Sequence, residues 1–133
     1  MTKVMCTDET TSGGREAALV LDTAEERLSI REVIRRRVFQ EVAEFHARQA
    51  AGPFRGLVRP TETETALNGR RGPLHPARRL DPERQFEAAV TAFGRNGFLV
   101  LTGERQLTDL DEEIELTPGL EITFLKLVPL VGG

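Results

Sequence analysis

The sequence is poor in residues that several classes of protein require. Its single cysteine, Cys6, excludes an internal disulfide, so a cytoplasmic location is the default expectation. Tryptophan and tyrosine are absent, so the core has to be aliphatic with help from seven phenylalanines. No apolar run approaches the roughly 20 residues of a membrane span, and the N-terminus lacks the charged and apolar regions of a signal peptide. We therefore expect neither a membrane segment nor a secreted product.

Lysine is also scarce, and charge is unevenly distributed along the chain. Of 18 basic residues only Lys3 and Lys126 are lysines. Residues 54–80 contain six arginines and two glutamates, whereas residues 81–133 contain four basic and ten acidic residues. The net charge of −3 and the pI near 5.5 argue against nucleic-acid binding. The basic segment suits a solvated loop better than a surface for an acidic partner, because charge asymmetry alone is a weak signal.

Length and composition indicate one folded domain. A chain of 133 residues lies within the usual domain size of roughly 100–200 residues. Hydrophobic residues make up 39% and charged residues 29%, which argues against wholesale disorder. We therefore predict a single domain over residues 1–133, and we expect a monomer.

The N-terminal segment has the pattern of a hairpin followed by a long helix. Residues 3–6 and 17–21 are predicted strands, joined by the turn-forming sequence Thr-Ser-Gly-Gly. Ser29 and Glu32 form a capping box at the start of a helix predicted over residues 29–49. Apolar residues recur at helical spacing, at Ile30, Val33, Ile34, Val38, Val42 and Phe45. The residues predicted mostly on the opposite, solvent-facing side are Arg31, Arg35, Arg36, Arg37, Glu41 and Glu44.

The middle of the chain, residues 51–97, is predicted to be an insertion on this domain. Four prolines and four glycines make residues 50–80 irregular, with a brief strand at residues 56–58. A second helix is predicted to start at Asp81-Pro82, with aspartate as the cap and proline in the first turn, and to end at Asn96-Gly97.

The C-terminal part is predicted to be mostly β-structure. Residues 98–101 and 105–107 are strands around a glycine turn, and residues 109–115 are an acidic connector. Residues 120–127 form the last and longest strand, which is apolar on both sides of Lys126 and too long for an exposed edge, so it should lie inside the sheet. Residues 128–133 are predicted to be a flexible tail.

Searches for catalytic and metal-binding motifs are nearly empty. The sequence has no nucleophile elbow, P-loop, dinucleotide fingerprint or HExxH motif. His46 suits a polar cap at a helix end, His75 suits a loop, and Cys6 suits a structural role. The carboxylates of residues 109–115 follow one another too closely for a tuned acid–base pair and suit a solvated face. We therefore predict a protein that is not an enzyme and that has no metal or cofactor.

The remaining feature is the end of the sequence, Gly132-Gly133. Glycine has no Cβ, so a diglycine can enter a narrow channel in which a bulkier residue would clash. It also leaves a terminal carboxylate unhindered for activation by another enzyme. The residues predicted to contact that partner precede the diglycine and are Leu127, Pro129, Leu130 and Val131.

The order of these elements resembles the ubiquitin-like β-grasp family, which includes ubiquitin and the sulfur carriers of thiamine and molybdopterin synthesis. Residues 98–107, FLVLTGERQL, resemble the family's third strand, glycine turn and fourth strand. Residues 117–124, TPGLEITF, resemble the turn into its last strand, and the tail LVPLVGG is more similar to sulfur carriers than to ubiquitin. The resemblance implies an α+β fold with a mixed sheet packed on one long helix, here with an inserted loop and second helix.

The resemblance also implies a function. A partner enzyme would adenylate Gly133, which would then be carried as a thioester or thiocarboxylate, or joined to an amine of an acceptor protein or sulfur-transfer enzyme. With only Lys3, Lys126 and the amino terminus as acceptor amines, single attachment or sulfur carriage is favoured over polymer building. The alternative is a non-covalent interaction module that binds partners through its sheet face and does not need the tail.

Overall fold

The computed structural model describes residues 1–47, 56–58 and 80–127 of the chain. These residues form seven strands and two helices. The strands are β1 (Thr2–Thr10), β2 (Arg15–Thr23), β3 (Arg27–Ser29), β4 (Phe98–Thr102), β5 (Arg105–Leu107), β6 (Glu113–Glu115) and β7 (Glu121–Lys126). The helices are α1 (Ile30–Ala47) and α2 (Pro82–Gly94). Within the part of the chain described, neither helix is both long and apolar enough to cross a membrane.

The chain divides into two compact units. The first contains residues 1–33 and 92–133, and the second contains residues 34–91. The first unit therefore includes all seven strands, and the second includes most of both helices.

The first unit is built on a mixed five-stranded sheet in the order β2-β1-β7-β4-β5. β7 lies in the centre, parallel to β1 and antiparallel to β4, as the long apolar sequence of the last strand predicts. The hairpins β1–β2 and β4–β5 flank it on either side. A parallel pair needs a long crossover connection, and here the chain between β1 and β7 contains both helices.

A β-bulge in β2 decides which side chains share a face of the sheet. Cys6 lies opposite Leu19, but Thr7 lies opposite Ala17, so Ala18 has no Cα partner on β1. The extra residue reverses the alternation along the first half of β2. Arg15 therefore projects on the same face as Glu9, its partner in β1.

One face of the sheet is buried, and we call it the inner face. It is aliphatic with two phenylalanines, as the absence of tryptophan and tyrosine requires. Its fully or nearly fully buried residues are Val4, Cys6, Leu19, Leu21, Phe98, Val100, Leu107, Ile122 and Phe124. We call the opposite, more exposed side of the same sheet the outer face.

A second, two-stranded sheet pairs β3 with β6 and was not predicted. Residues 109–115 are predicted to be a connector, but residues 113–115 pair with residues 27–29 just before α1. The first N–H groups of α1 donate to this connector, from Ile30 to Glu112 O at 2.9 Å and from Arg31 to Leu110 O at 2.9 Å. The connector thus satisfies donors that a helix N-terminus leaves open.

Both helices begin where the sequence signals predict, and α2 also ends at its predicted turn. The Glu32 N–H donates to Ser29 Oγ at 3.2 Å, and the Glu83 N–H donates to Asp81 Oδ1 at 2.9 Å. After α2, Asn96 adopts a left-handed φ of 60° and the Gly97 N–H donates back to Ala92 O at 2.7 Å.

The second unit holds its short described segments to α1 by side-chain acceptors. Leu57 and Leu80 are buried, and their N–H groups donate to Glu41 Oε1 at 3.0 Å and to His46 Nε2 at 2.9 Å. Residues 56–58 form a bend, so the predicted strand there is wrong. Arg37 is predicted on the solvent side, but it is 0% exposed and pairs with Glu41 at 3.4 Å. An arginine can be buried when its charge is paired with a carboxylate.

The predicted α+β class with a mixed sheet is confirmed. The prediction of an insertion over residues 51–97 stays a prediction, and residues 48–55, 59–79 and 128–133 lie outside the described residues.

Candidate functional site

The predicted site residues divide into one that is described and five that are not. Pro129, Leu130, Val131, Gly132 and Gly133 lie outside the described residues, as does the predicted flexible tail over residues 128–133. Leu127 is the last described residue before them, and it is half-buried. The site can therefore be built from the strand that leads into it.

Leu127 directly follows β7 and is held by a backbone hydrogen bond. Its N–H donates to Gly97 O at 3.1 Å, in the turn between α2 and β4. The preceding residue, Lys126, lies opposite Thr10 of β1 and Phe98 of β4. We call this end of the sheet, formed by Thr10, Phe98 and Lys126, the exit edge.

Aromatic packing on the inner face fixes the exit edge. The ring centroid of Phe98 lies 6.1 Å from that of Phe124 on β7 and 5.9 Å from that of Phe93 at the end of α2. The Phe98 ring is tilted relative to each of the other two, an arrangement that adds to the burial energy. Phe98 and Phe124 are at most 2% exposed, so the strand cannot shift here without opening the core.

An ion pair closes the inner face at the exit edge. Lys126 Nζ lies 3.2 Å from Asp8 Oδ2, and the two side chains are 33% and 11% exposed. Asp8 and Lys126 project on the same face because β1 and β7 pair in parallel register. The pair joins the last residue of β7 to its neighbouring strand.

A second ionic cluster lies on the outer face. Arg15 pairs with Glu9 at 3.4 Å and also with Glu121 at the start of β7. The side chain of Arg15 is 54% exposed, so these contacts stabilise the fold weakly. The cluster depends on the bulge at Ala18, since without it Arg15 would project on the inner face.

The outer face also carries two groups of apolar residues, which we together call the outer patch. Met5 and Val20 are partners across β1 and β2, and each is 38% exposed. Leu99 and Leu125 are partners across β4 and β7, and both are half-buried, as is Leu101. These five residues define the outer patch.

Where they are described, the residues considered for catalysis have structural surroundings. Cys6 is fully buried in β1, His46 accepts the Leu80 N–H, and His75 lies outside the described residues. Three of the acidic residues between 109 and 115 are in ion pairs with arginines, at Asp111, Glu112 and Glu115. In the described ranges no group of three or more histidine, cysteine or acidic residues could hold a metal ion.

Sequence reasoning missed the Asp8–Lys126 pair and the Arg15 cluster. A signal for the first exists, because a lysine in an apolar strand calls for an acidic partner. The sequence does not indicate which of the acidic residues that partner is. The second depends on a bulge, for which the sequence around Ala18 has no glycine or proline as a marker.

No family model, no curated protein and no solved structure matches this chain.

Proposed function

We propose that this chain is a β-grasp protein that acts through Gly132-Gly133, as a protein modifier or as a sulfur carrier. The observation that carries the proposal is the position of β7. It is the central strand, it is parallel to β1, and it ends at Lys126, shortly before the diglycine.

The β-grasp assignment rests on the strand order. A hairpin, β1–β2, is followed by α1, and the next hairpin, β4–β5, lies on the far side of the last strand. This order has the pattern expected from the resemblance to ubiquitin-like proteins. The segment between α1 and β4, including α2, would be the addition to a minimal member of that family.

The chemistry requires a free carboxyl group on Gly133. A partner enzyme would supply ATP, and the carboxylate oxygen would attack the α-phosphorus to give an acyl adenylate while pyrophosphate leaves. A thiolate or a sulfide would then displace AMP to give a thioester or a thiocarboxylate. Two residues without Cβ allow the reacting carbonyl to enter a narrow channel.

The partner would recognise an apolar tail. Leu127, Pro129, Leu130 and Val131 carry no charge, in contrast to the arginine-bearing tail of ubiquitin. This composition favours an activating enzyme of the sulfur-carrier type with an apolar groove. We place the reaction in the cytoplasm, with this chain as a monomer and without a metal or cofactor of its own.

The test is ATP-dependent adduct formation. The purified full chain is incubated with ATP and an extract of the cells that make it, and its intact mass is followed. We expect a covalent adduct with the full chain and none with a chain lacking Gly133. The matched control is Glu104→Gln, an exposed change in the β4–β5 turn, which should leave the adduct unchanged. An adduct of equal yield without Gly133, or none with the full chain, contradicts the proposal.

A second function is favoured by the outer patch. Met5 and Val20, at 38% exposure each, are among the few exposed large apolar residues of the described chain, and they lie side by side. A non-covalent interaction module would bind partners there. A chain ending at Val131 should then keep a partner that Val20→Asp loses, whereas the first function predicts the reverse.

A further inference from the structure

The scarcity of lysine makes the fate of each side-chain amine a structural question. Lysine has the one common side chain that forms a stable amide with an activated carboxyl group, and this chain has only Lys3 and Lys126. Both lie on strands of the same sheet, on β1 and β7. Their surroundings differ in burial, in charge and in the face on which they project.

Lys126 is held on the inner face. Its Nζ lies 3.2 Å from Asp8 Oδ2, and only 33% of its side chain is exposed. Asp8 is itself 9% exposed, so its carboxylate has little access to water as an alternative to the ammonium group. Acylation of this amine requires the ion pair with Asp8 to separate, since an amine paired with a carboxylate is not available to attack a carbonyl carbon.

Lys3 is open to solvent on the outer face. It is exposed, and within the described ranges its side chain has no hydrogen bond or ion pair. Its partner across the hairpin is Asp22, also exposed, and the next residues on the same face are Met5 and Val20. Among the residues that the structure describes, none pairs with the amine.

We infer that Lys3 is the side-chain acylation site of this protein and that Asp8 withholds Lys126 from the same reaction. The donor is an activated carboxyl group, either a thioester or an acyl adenylate. The neutral amine of Lys3 attacks the carbonyl carbon, a C–N bond forms, and the C–S or C–O bond breaks. The thiolate or AMP leaves with the electron pair, and the amine proton passes to solvent.

The two lysines lie at opposite ends of the sheet, and this separation bears on which of them an activated Gly133 can reach. Thr10 lies opposite Lys126, so Lys3 is seven residues back along β1, about 23 Å at ~3.3 Å per residue. If the proposed function holds, Gly133 follows Lys126 by seven residues, with a maximum span of about 25 Å. An activated Gly133 could loop back to Lys126 easily but could reach its own Lys3 only when almost fully extended. Withholding Lys126 therefore protects the chain against acylation by its own activated C-terminus.

The first experiment does not depend on the proposed function. The full chain is treated with a limiting amount of the N-hydroxysuccinimide ester of acetate at neutral pH, and acetylation of each lysine is followed by peptide mapping. We expect Lys3 to react about tenfold faster than Lys126, which corresponds to about 1.4 kcal/mol of protection. In Asp8→Asn the Lys126 rate should rise about tenfold, and in the matched control Glu9→Gln, on the outer face, it should not change. Urea-unfolded protein should show nearly equal rates.

Three results would overturn the inference. The first is reaction of Lys126 within twofold of Lys3 in the folded wild-type protein. The second is an unchanged Lys126 rate in Asp8→Asn while amide exchange shows β7 intact, which separates loss of the ion pair from loss of the fold. The third is conjugation through Lys126 when the chain is activated at Gly133. By contrast, absence of any Gly133 adduct, with the acetylation pattern as expected, refutes the proposed function and leaves the acylation site standing.

Discussion

Truncation of Phe124 tests whether β7 is the strand that fixes the exit edge. Phe124 is 0% exposed and lies in the middle of the central strand, in ring contact with Phe98. Phe124→Ala removes a phenyl-sized volume from a site enclosed by strands on both sides, where the core has little freedom to collapse. Substitutions of this kind cost about 3–5 kcal/mol, and we expect the upper half of that range.

The matched control is Leu125→Ala, one residue further on the outer face of the same strand. Leu125 is half-buried, so the loss should be about 1 kcal/mol. Unfolding in urea has to be followed by far-UV circular dichroism, because the chain has no tryptophan or tyrosine to serve as a fluorescent probe. At about 3 °C per kcal/mol for a chain of this size, Phe124→Ala should lower Tm by about 12 °C. Equal losses for the two variants would refute the assignment of an inner and an outer face to β7.

Three further changes test local features, with urea unfolding as the measurement for each. Ser29→Ala removes the oxygen that accepts the Glu32 N–H and should cost about 1 kcal/mol, whereas Ser29→Asp should restore most of it; no loss in the alanine variant would exclude the cap. Gly119 has a φ of 81°, so Gly119→Ala should lower the free energy of unfolding by about 1–2 kcal/mol. In the control Gly94→Ala a Cβ meets nothing within 4 Å, so stability should be unchanged or higher, and the opposite order would contradict the turn geometry. Glu41→Ala leaves the buried Arg37 without this partner and should cost about 3 kcal/mol, and a loss below about 1 kcal/mol would show that the pair is exposed in solution.

At the candidate site, the residue pattern predicts the position of the last strand but not the position of its lysine side chain. The apolar run on both sides of Lys126 predicts a strand inside the sheet, and β7 is indeed central. The pattern works because a long apolar strand at an edge would leave its backbone groups open to pairing with other chains. The same pattern is silent on the position of the lysine amine, because that depends on Asp8, which is distant in the sequence and adjacent only in the folded sheet.

The outcome in the middle of the chain shows where such patterns fail. The arginines of α1 read as one solvated face, yet Arg37 is buried against Glu41, and the acidic connector hides the strand β6. In both cases a charged residue is paired with an opposite charge: Arg37 with Glu41 in the buried position, and Glu115 of β6 with Arg27 of β3. Composition records the charges but not which of them meet.

The sequence by itself determined the local elements of this protein. The caps at Ser29 and Asp81, the turn at Asn96-Gly97 and the alternating strands follow from interactions that reach only a few residues along the chain. The tertiary structure alone decided the bulge at Ala18, the pairing of β3 with β6, and the difference between Lys3 and Lys126. The physical reason is that strand register and ion pairing between distant residues depend on the assembled sheet, in which one residue of offset moves a side chain from the outer face to the inner.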